Sequence, residues 1–197
     1  MIYIRRFLPM LLFLLSFGAF ADTEKDIAAT MEARLLELVN VLSKEQGDAA
    51  LDAVLVKTID SAAITKGVLG KHRKSLTESQ TTRFQSEFDR SMKHLLVTAL
   101  SSVGKFDLSI EKVKLRGEQR AQVFAVVKTE KSEKFEIVSS IGRDTDEWLV
   151  RNLIVNGVNL GLTYRNQFNE LMLNHGDADK AIDAWSETIE EAADGAI

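Results

Sequence analysis

The spacing of apolar residues changes twice along this chain, and those two changes restrict its fold more than any single motif. Up to Gly104, large apolar side chains recur every three or four positions, which puts them on one face of a helix. Beyond Gly104 the period drops to two. Phe106, Leu108 and Ile110 alternate with Asp107, Ser109 and Glu111, as in a strand with one face covered. After Gly157 the helical spacing returns. Helices, then strands, then helices predict an α+β domain with helices laid on one face of a sheet.

In the first helical region, Ile27, Met31, Leu35, Leu38 and Leu42 predict an amphipathic helix from Thr23 to about Ser43. Gly47-Asp48 interrupts it, and Asp48 is placed to cap a short helix bearing Leu51, Val54 and Leu55. Val54-Leu55-Val56 could instead be a strand, but the surrounding alanines favour helix. Ile59 to Leu69 predicts another short helix, stopped by Gly70. Thr77-Glu78-Ser79-Gln80 has the spacing of a capping box. From it runs the longest helix, with Phe84, Phe88, Met92, Leu95 or Leu96, and Ala99 along one face, closed by Gly104. Taken alone, that stripe reads as ordinary core.

Three more alternating runs follow the first: Val123, Ala125 and Val127; Phe135, Ile137 and Ser139; Leu149, Arg151 and Leu153. Short charged or glycine-bearing turns at 116–120, 131–134 and 142–147 separate them, so successive strands pair as hairpins. The expected sheet is an antiparallel meander of about four strands. Phe124 and Val126 are apolar on the other face, which suggests a strand covered on both sides. Val158, Leu162 and then Leu160, Tyr164, Phe168 and Leu171 carry the next helix to His175-Gly176. Asp177 can cap a last one bearing Ala181, Ile182, Trp185 and Ile189.

The N-terminus bears on compartment. Arg5 and Arg6 precede an apolar run, Phe7 to Phe17, broken only by Pro9 and Ser16, and Ala19-Phe20-Ala21 fits a cleavage site. Together these read as a secretory signal over residues 1–21, with residues 22–197 left as one domain in the periplasm. A membrane anchor is the competing reading, but it needs roughly 20 apolar residues. Cleavage removes two cations from a chain already at −4. Neither nucleic-acid binding nor adhesion to anionic membranes is expected from that charge. With no Cys in the chain, packing alone must hold the exported domain.

Nothing in the pattern suggests catalysis. His72, His94 and His175 lie far apart, with no Cys or second His at a ligand spacing, so no metal is expected. Ser61, Ser75, Ser91 and Ser101 occupy cap or polar-face positions without a nucleophile elbow. Asp144, Asp146 and Glu147 read as a solvated turn rather than a calcium loop. There is no glycine-rich phosphate loop and no cofactor motif.

One stretch carries a resemblance. Trp148 opens an apolar strand; Gly157-Val158-Asn159-Leu160 breaks it; Tyr164-Arg165-Asn166-Gln167-Phe168 starts the following helix. This resembles the MlaC family of periplasmic phospholipid-binding proteins, also called the toluene-tolerance family. Its members have a tryptophan-led last strand, Gly-Val-Ser-Leu, and a helix close to Tyr-Arg-x-Gln-Phe. Ile59-Asp60-Ser61-Ala62-Ala63-Ile64-Thr65-Lys66-Gly67-Val68-Leu69-Gly70 and Leu76-Thr77-Glu78-Ser79-Gln80, with Phe84 and Phe88 after it, resemble two further family segments. The likeness runs from Asp48 to about Trp185. Departures fall at Asn159 for the usual Ser, Leu96 for a frequent Tyr, Asn152 for an Asp, and a missing Pro before Asp60.

The resemblance implies a carrier, not an enzyme, that holds phospholipid acyl chains in an apolar cavity as cargo. It implies shuttling between an outer-membrane lipoprotein complex and an inner-membrane ABC transporter complex. The cavity walls are then expected from Val68, Leu69, Phe84, Phe88, Met92, Leu96, Val158 and Leu162 on helices, and Phe135, Ile137 and Trp148 on the sheet. The alternatives are a periplasmic chaperone or adaptor whose apolar surfaces hold no lipid, and a small hydrolase.

Overall fold

Helices in this protein begin where the sequence supplies a polar cap. The computed structural model describes residues 23–44 and 47–194; the expected signal lies outside them. Helix α1 spans Glu24–Ser43. Thr23 caps it reciprocally with Asp26: the Thr23 hydroxyl accepts from the Asp26 amide at 3.2 Å, and the Asp26 carboxylate accepts from the Thr23 amide at 3.0 Å. The box expected at Thr77 forms in the same way with Gln80 and opens the 26-residue α4, Glu78–Val103. Between them lie α2, Asp48–Thr58, α3, Ser61–Leu69, and a 3-10 turn, Gly70–Lys74.

Two boundaries differ from expectation. Asp48 is the first residue of α2 and does not cap it; Gly47 holds the cap position without a side-chain bond. The Asp48 carboxylate instead faces Lys93 of α4 at 3.3 Å. Ile59 is not helical. Its backbone bridges to Val150 on the sheet, and Asp60 becomes the cap of α3 by accepting from the Ala63 amide at 3.0 Å.

The sheet is an antiparallel meander of β1 (Phe106–Leu115), β2 (Arg120–Thr129), β3 (Lys134–Gly142), β4 (Leu149–Val155) and a two-residue β5 (Val158–Asn159), in that spatial order. Trp148 stands just ahead of β4. The fifth strand was not expected. Asn156 and Gly157 both have positive φ, 47° and 83°, as a two-residue type I′ hairpin turn requires. The chain therefore folds back on β4, with Val155 opposite Val158, before α5 (Leu160–His175) starts. Helix α6, Ala178–Asp194, closes the chain.

Register fixes which residues point inward. Leu108 pairs with Val127 and Val127 with Phe135; Ile110 pairs with Ala125, Ala125 with Ile137, and Ile137 with Val155. All of these share the face on which α1 lies. Irregularities interrupt the alternation between Ile110 and Lys112 and opposite Ser140/Ile141. The first brings Val113 inward. The second makes Arg151 an extra residue, so Val150 and Leu153 point inward, and the expected face of Leu149, Arg151 and Leu153 does not exist. A bulge of this kind shifts parity by one. Phe124 and Val126, on the outer face, are half-buried, and the Lys114 ammonium sits 5.2 Å from the Phe124 ring centre.

Three packed clusters result. Helices α3 to α6 enclose Val68, Leu69, Phe84, Phe88, Phe168, Ile182 and Trp185. Ile27 and Met31 of α1 press on Val113, Val123, Ile141, Trp148 and Val150 of the sheet. Leu38 and Val41 pack with Leu51 and Val54 of α2, and Leu96 and Leu100 of α4 border that group. Strand β4 ties the helices to the sheet. Asp60 donates its amide to Val150 at 2.9 Å, and Arg151 bonds Asp60 and Asp144, each at 2.8 Å. A side chain at Gly142 would come within 2.6 Å of Arg151, so the guanidinium would have to shift to make room for it.

Candidate functional site

A cavity of about 720 Å³ lies where the second half of α1, the end of α4 and the β1–β2 edge of the sheet come together. Val39 and Leu42 enter it from α1, Leu100 and Ser101 from α4, and Phe106 from β1. Gly104, at φ 67°, ends α4 and turns the chain into β1, which brings helix end and strand start to one rim. Lys105, Asp107, Lys128 and Glu130 complete the rim, giving an apolar interior with charge at its edge. Thr129 is buried there; its hydroxyl accepts from the Glu133 amide at 3.2 Å and holds the β2–β3 turn.

The inner sheet face beside this cavity is apolar but incompletely covered. Phe106, Leu108, Val127, Phe135, Ile137 and Val155 are all half-buried, and none belongs to a packed cluster. Further along the same face, Val113, Val123 and Ile141 are nearly inaccessible beneath α1. Helix α1 thus seals one end of the face and leaves the other as the floor of a recess. Before it reaches the cavity, α4 is tied to α2 by Lys93, whose ammonium reaches Asp52 at 2.8 Å. The bond to Asp52, opposed by burial and helped by Asp48, holds the Lys93 pKa above the usual lysine value.

The residues expected to wall a pocket fall into separate groups. Val68, Leu69, Phe84 and Phe88 lie within the helical core, with Met92 at its border. Phe84 is within 4.7 Å of Phe168 and 5.1 Å of Trp185, centre to centre. Leu96 borders the α1–α2 cluster, one turn before Leu100 on α4. Phe135 and Ile137 are on the open floor. Trp148 is packed beneath α1 with the Arg143 guanidinium 4.7 Å from its ring centre. Val158 and Leu162 are exposed, at 54% and 49%, where β5 passes into α5. None of these residues lines the 720 Å³ cavity. Of the cavity's own residues, Leu100 and Phe106 carried one available signal, their place on either side of the helix–strand junction at Gly104; Val39 and Leu42, on α1, carried none.

The junction that carries the resemblance has structural work of its own. Asn159, in place of serine, caps α5 by accepting from the Leu162 amide at 3.0 Å. Asn152 accepts from the Gly161 amide, also at 3.0 Å. Tyr164 meets Trp185 edge-on at 6.3 Å, and burial pushes its phenol above the ordinary tyrosine range.

Reactive groups are dispersed. The His72 imidazole sits 2.9 Å from Asn169, Ser91 faces Ser186 at 3.5 Å, Ser75 donates to the His72 carbonyl, and Ser61 bonds Asp89. Among the described residues no group of His, Cys, Asp or Glu is arranged to hold a metal. The arrangement suits partition of hydrocarbon into an apolar recess.

Residues 31–187 match the family described as MlaC protein. The toluene tolerance protein ttg2D of Pseudomonas putida is 31% identical over 149 residues, covering 75% of this chain and 69% of that protein. A phospholipid-binding protein from Ralstonia solanacearum, solved in complex with a phospholipid, has the same fold. It matches with a TM-score of 0.73 at 17% identity, over 84% of this chain and 98% of that one.

Proposed function

The chain belongs to the MlaC family, and on that premise we propose that it is a periplasmic carrier of glycerophospholipids. The acyl chains lie in the recess between α1, the end of α4 and the open half of the inner sheet face; the headgroup stays at the charged rim. The observation that carries this reading is the row from Phe106 to Val155, apolar and facing inward yet packed against no cluster. An unfilled apolar face adjoining a 720 Å³ cavity is of the size and character of ligand sites, roughly 300–1,000 Å³. The Ralstonia protein's phospholipid supports the same class of cargo for this fold.

The energetics account for the need of such a protein. Two acyl chains contain roughly 30 methylenes, at about 0.8 kcal/mol each, so moving them through water costs some 20–25 kcal/mol. A recess that replaces water with side-chain carbon offsets most of that cost without specific polar contacts. The carrier is exported when the signal is cleaved after Ala21. It takes lipid between an outer-membrane lipoprotein complex and an inner-membrane ABC transporter complex, and transforms nothing.

Native mass spectrometry of gently purified protein tests the cargo, with organic extraction and thin-layer chromatography to identify it. The expected result is bound phospholipid with headgroups mirroring the host membrane. Folded protein that is empty in several mild preparations would instead support the adaptor reading. Shuttling is tested by moving labelled lipid from the loaded protein to proteoliposomes that contain the transporter complex.

A further inference from the structure

Residues 61–77 and 148–169 of this acidic chain contain no Asp or Glu. The fold packs them together as α3 with its 3-10 turn and α5. Arg165 of α5 lies across the end of α3: its Nε donates to the Gly67 carbonyl at 2.7 Å, and its stem comes within 3.4 Å of where a side chain at Gly70 would be. Lys66 and Lys71 adjoin those two glycines, and Arg73 and Lys74 continue the turn. All five cations are exposed. Among the described residues none of them is in an ion pair, whereas Arg34, Arg83, Lys93 and Arg151 each are.

We propose that Lys66, Lys71, Arg73, Lys74 and Arg165 form a docking surface for anionic phospholipid bilayers, with exposed Leu162 as its apolar edge. Leu162 stands three residues before Arg165 and so shares its side of α5. Part of the basic charge serves the fold, since cations suit a helix C-terminus; Arg165 already fills that role, and four others remain. The composition favours a lipid surface over a protein. Lysine is depleted at protein interfaces, where aromatic residues are enriched, and this surface has three lysines and no exposed aromatic residue. Each Lys or Arg close to an anionic bilayer strengthens binding about fivefold. The acidic net charge does not cancel this, because salt screens charges beyond about 8 Å. The expectation drawn from net charge alone, that anionic membranes are not bound, averages over a surface the fold has segregated.

The proposal goes beyond the carrier reading and does not depend on what the cavity holds. The test is co-sedimentation of the mature protein with vesicles of phosphatidylglycerol and phosphatidylethanolamine, against vesicles of phosphatidylcholine alone. Binding to the anionic vesicles only, weakened by salt, is expected. A K71E/R73E/K74E variant should lose at least about 100-fold in affinity, while K25E/K44E/K112E, with the same net charge, stays near wild type. Circular dichroism confirms that both fold, since every changed residue is exposed. Equal binding to both vesicle types, or no binding to either, overturns the proposal and leaves the patch to an acidic protein. So does equal loss in the two triple variants. Lipid extracted from the same variants reports on the cavity separately.

Discussion

The two ends of α4 make unlike surroundings out of like residues. At its start, Phe84 and Phe88 are locked among Phe168, Trp185 and Ile182, with Phe84, Phe168 and Trp185 wholly inaccessible. At its end, Leu100 opens on a cavity whose floor is a half-covered sheet. The helix is 26 residues long, so about 39 Å separates its ends. One apolar stripe thus serves as core for its first turns and as cavity wall for its last. The difference lies in what covers the stripe: α3, α5 and α6 at one end, and only α1, α2 and the sheet edge at the other.

Stability measurements are the most direct way to break this contrast. Phe84→Ala or Phe168→Ala removes a ring from a filled core and should cost about 3–5 kcal/mol. Leu108→Ala, on the open floor, should cost under about 1.5 kcal/mol in delipidated protein, because few contacts are lost. Urea titration of the three variants gives the comparison. Equal losses would mean that the floor is packed as tightly as the helical core.

A buried carboxylate sharpens the contrast next. Leu100→Glu should leave the protein folded, since the recess is open to water, yet expel acyl chains at a cost of several kcal/mol. Phe88→Glu has no such outlet and should unfold the protein. Val158→Glu and Leu162→Glu concern the edge where β5 meets α5. Both positions are about half exposed, so the fold should hold within about 0.5 kcal/mol. Loss of lipid, which the resemblance leads one to expect, would extend the acyl path to that edge. A normal lipid load by extraction removes Val158 and Leu162 from the pocket.

Much of the fold was legible because its signals are local. The change of period at Gly104, the Thr77–Gln80 box and the glycines that end α3, α4 and α5 each depend on a few adjacent residues. Asn156-Gly157 was equally local, and it is a strong hairpin signal; reading it only as a glycine break hid β5. The bulges near Glu111 and Arg151 left no such mark, and they decide which residues face inward on β1 and β4. Legibility of the site was poorer for a related reason. Periodicity tells which side of α4 is apolar, and Phe84 and Leu100 look alike by that measure. Whether a neighbour fills the space opposite is set by contacts far apart in sequence.

Smaller effects probe how the two regions are joined. Asn159→Ala removes the cap of α5 and should cost about 1 kcal/mol, whereas Asn159→Ser, the residue usual in the family, should cost little, because both side chains accept from the same amide. A thermal melt of the pair distinguishes capping from a contact at the cavity.

The smallest expected effect lies on the helical side, at Glu87. Its carboxylate accepts from Arg90 at 2.7 Å and from the Ser186 hydroxyl at 3.0 Å, which links α4 to α6. The bond to Arg90, helped by Ser186 and opposed by partial burial, holds its pKa below the usual value of 4.5. A depressed carboxylate stabilises the fold fully at neutral pH and progressively less as pH falls from about 4.5 through its folded pKa. The side chain is 29% exposed, so solvent keeps the contribution to a few tenths of a kcal/mol, about the size of an exposed helix ion pair. Glu87→Gln should therefore match wild type at low pH and melt slightly earlier at pH 7, with a flatter dependence between. Because Glu87 lies on the α4–α6 side of the molecule and does not line the cavity, lipid content should be unchanged across the same range. A loss of lipid in Glu87→Gln would show that the two ends of α4 are coupled after all.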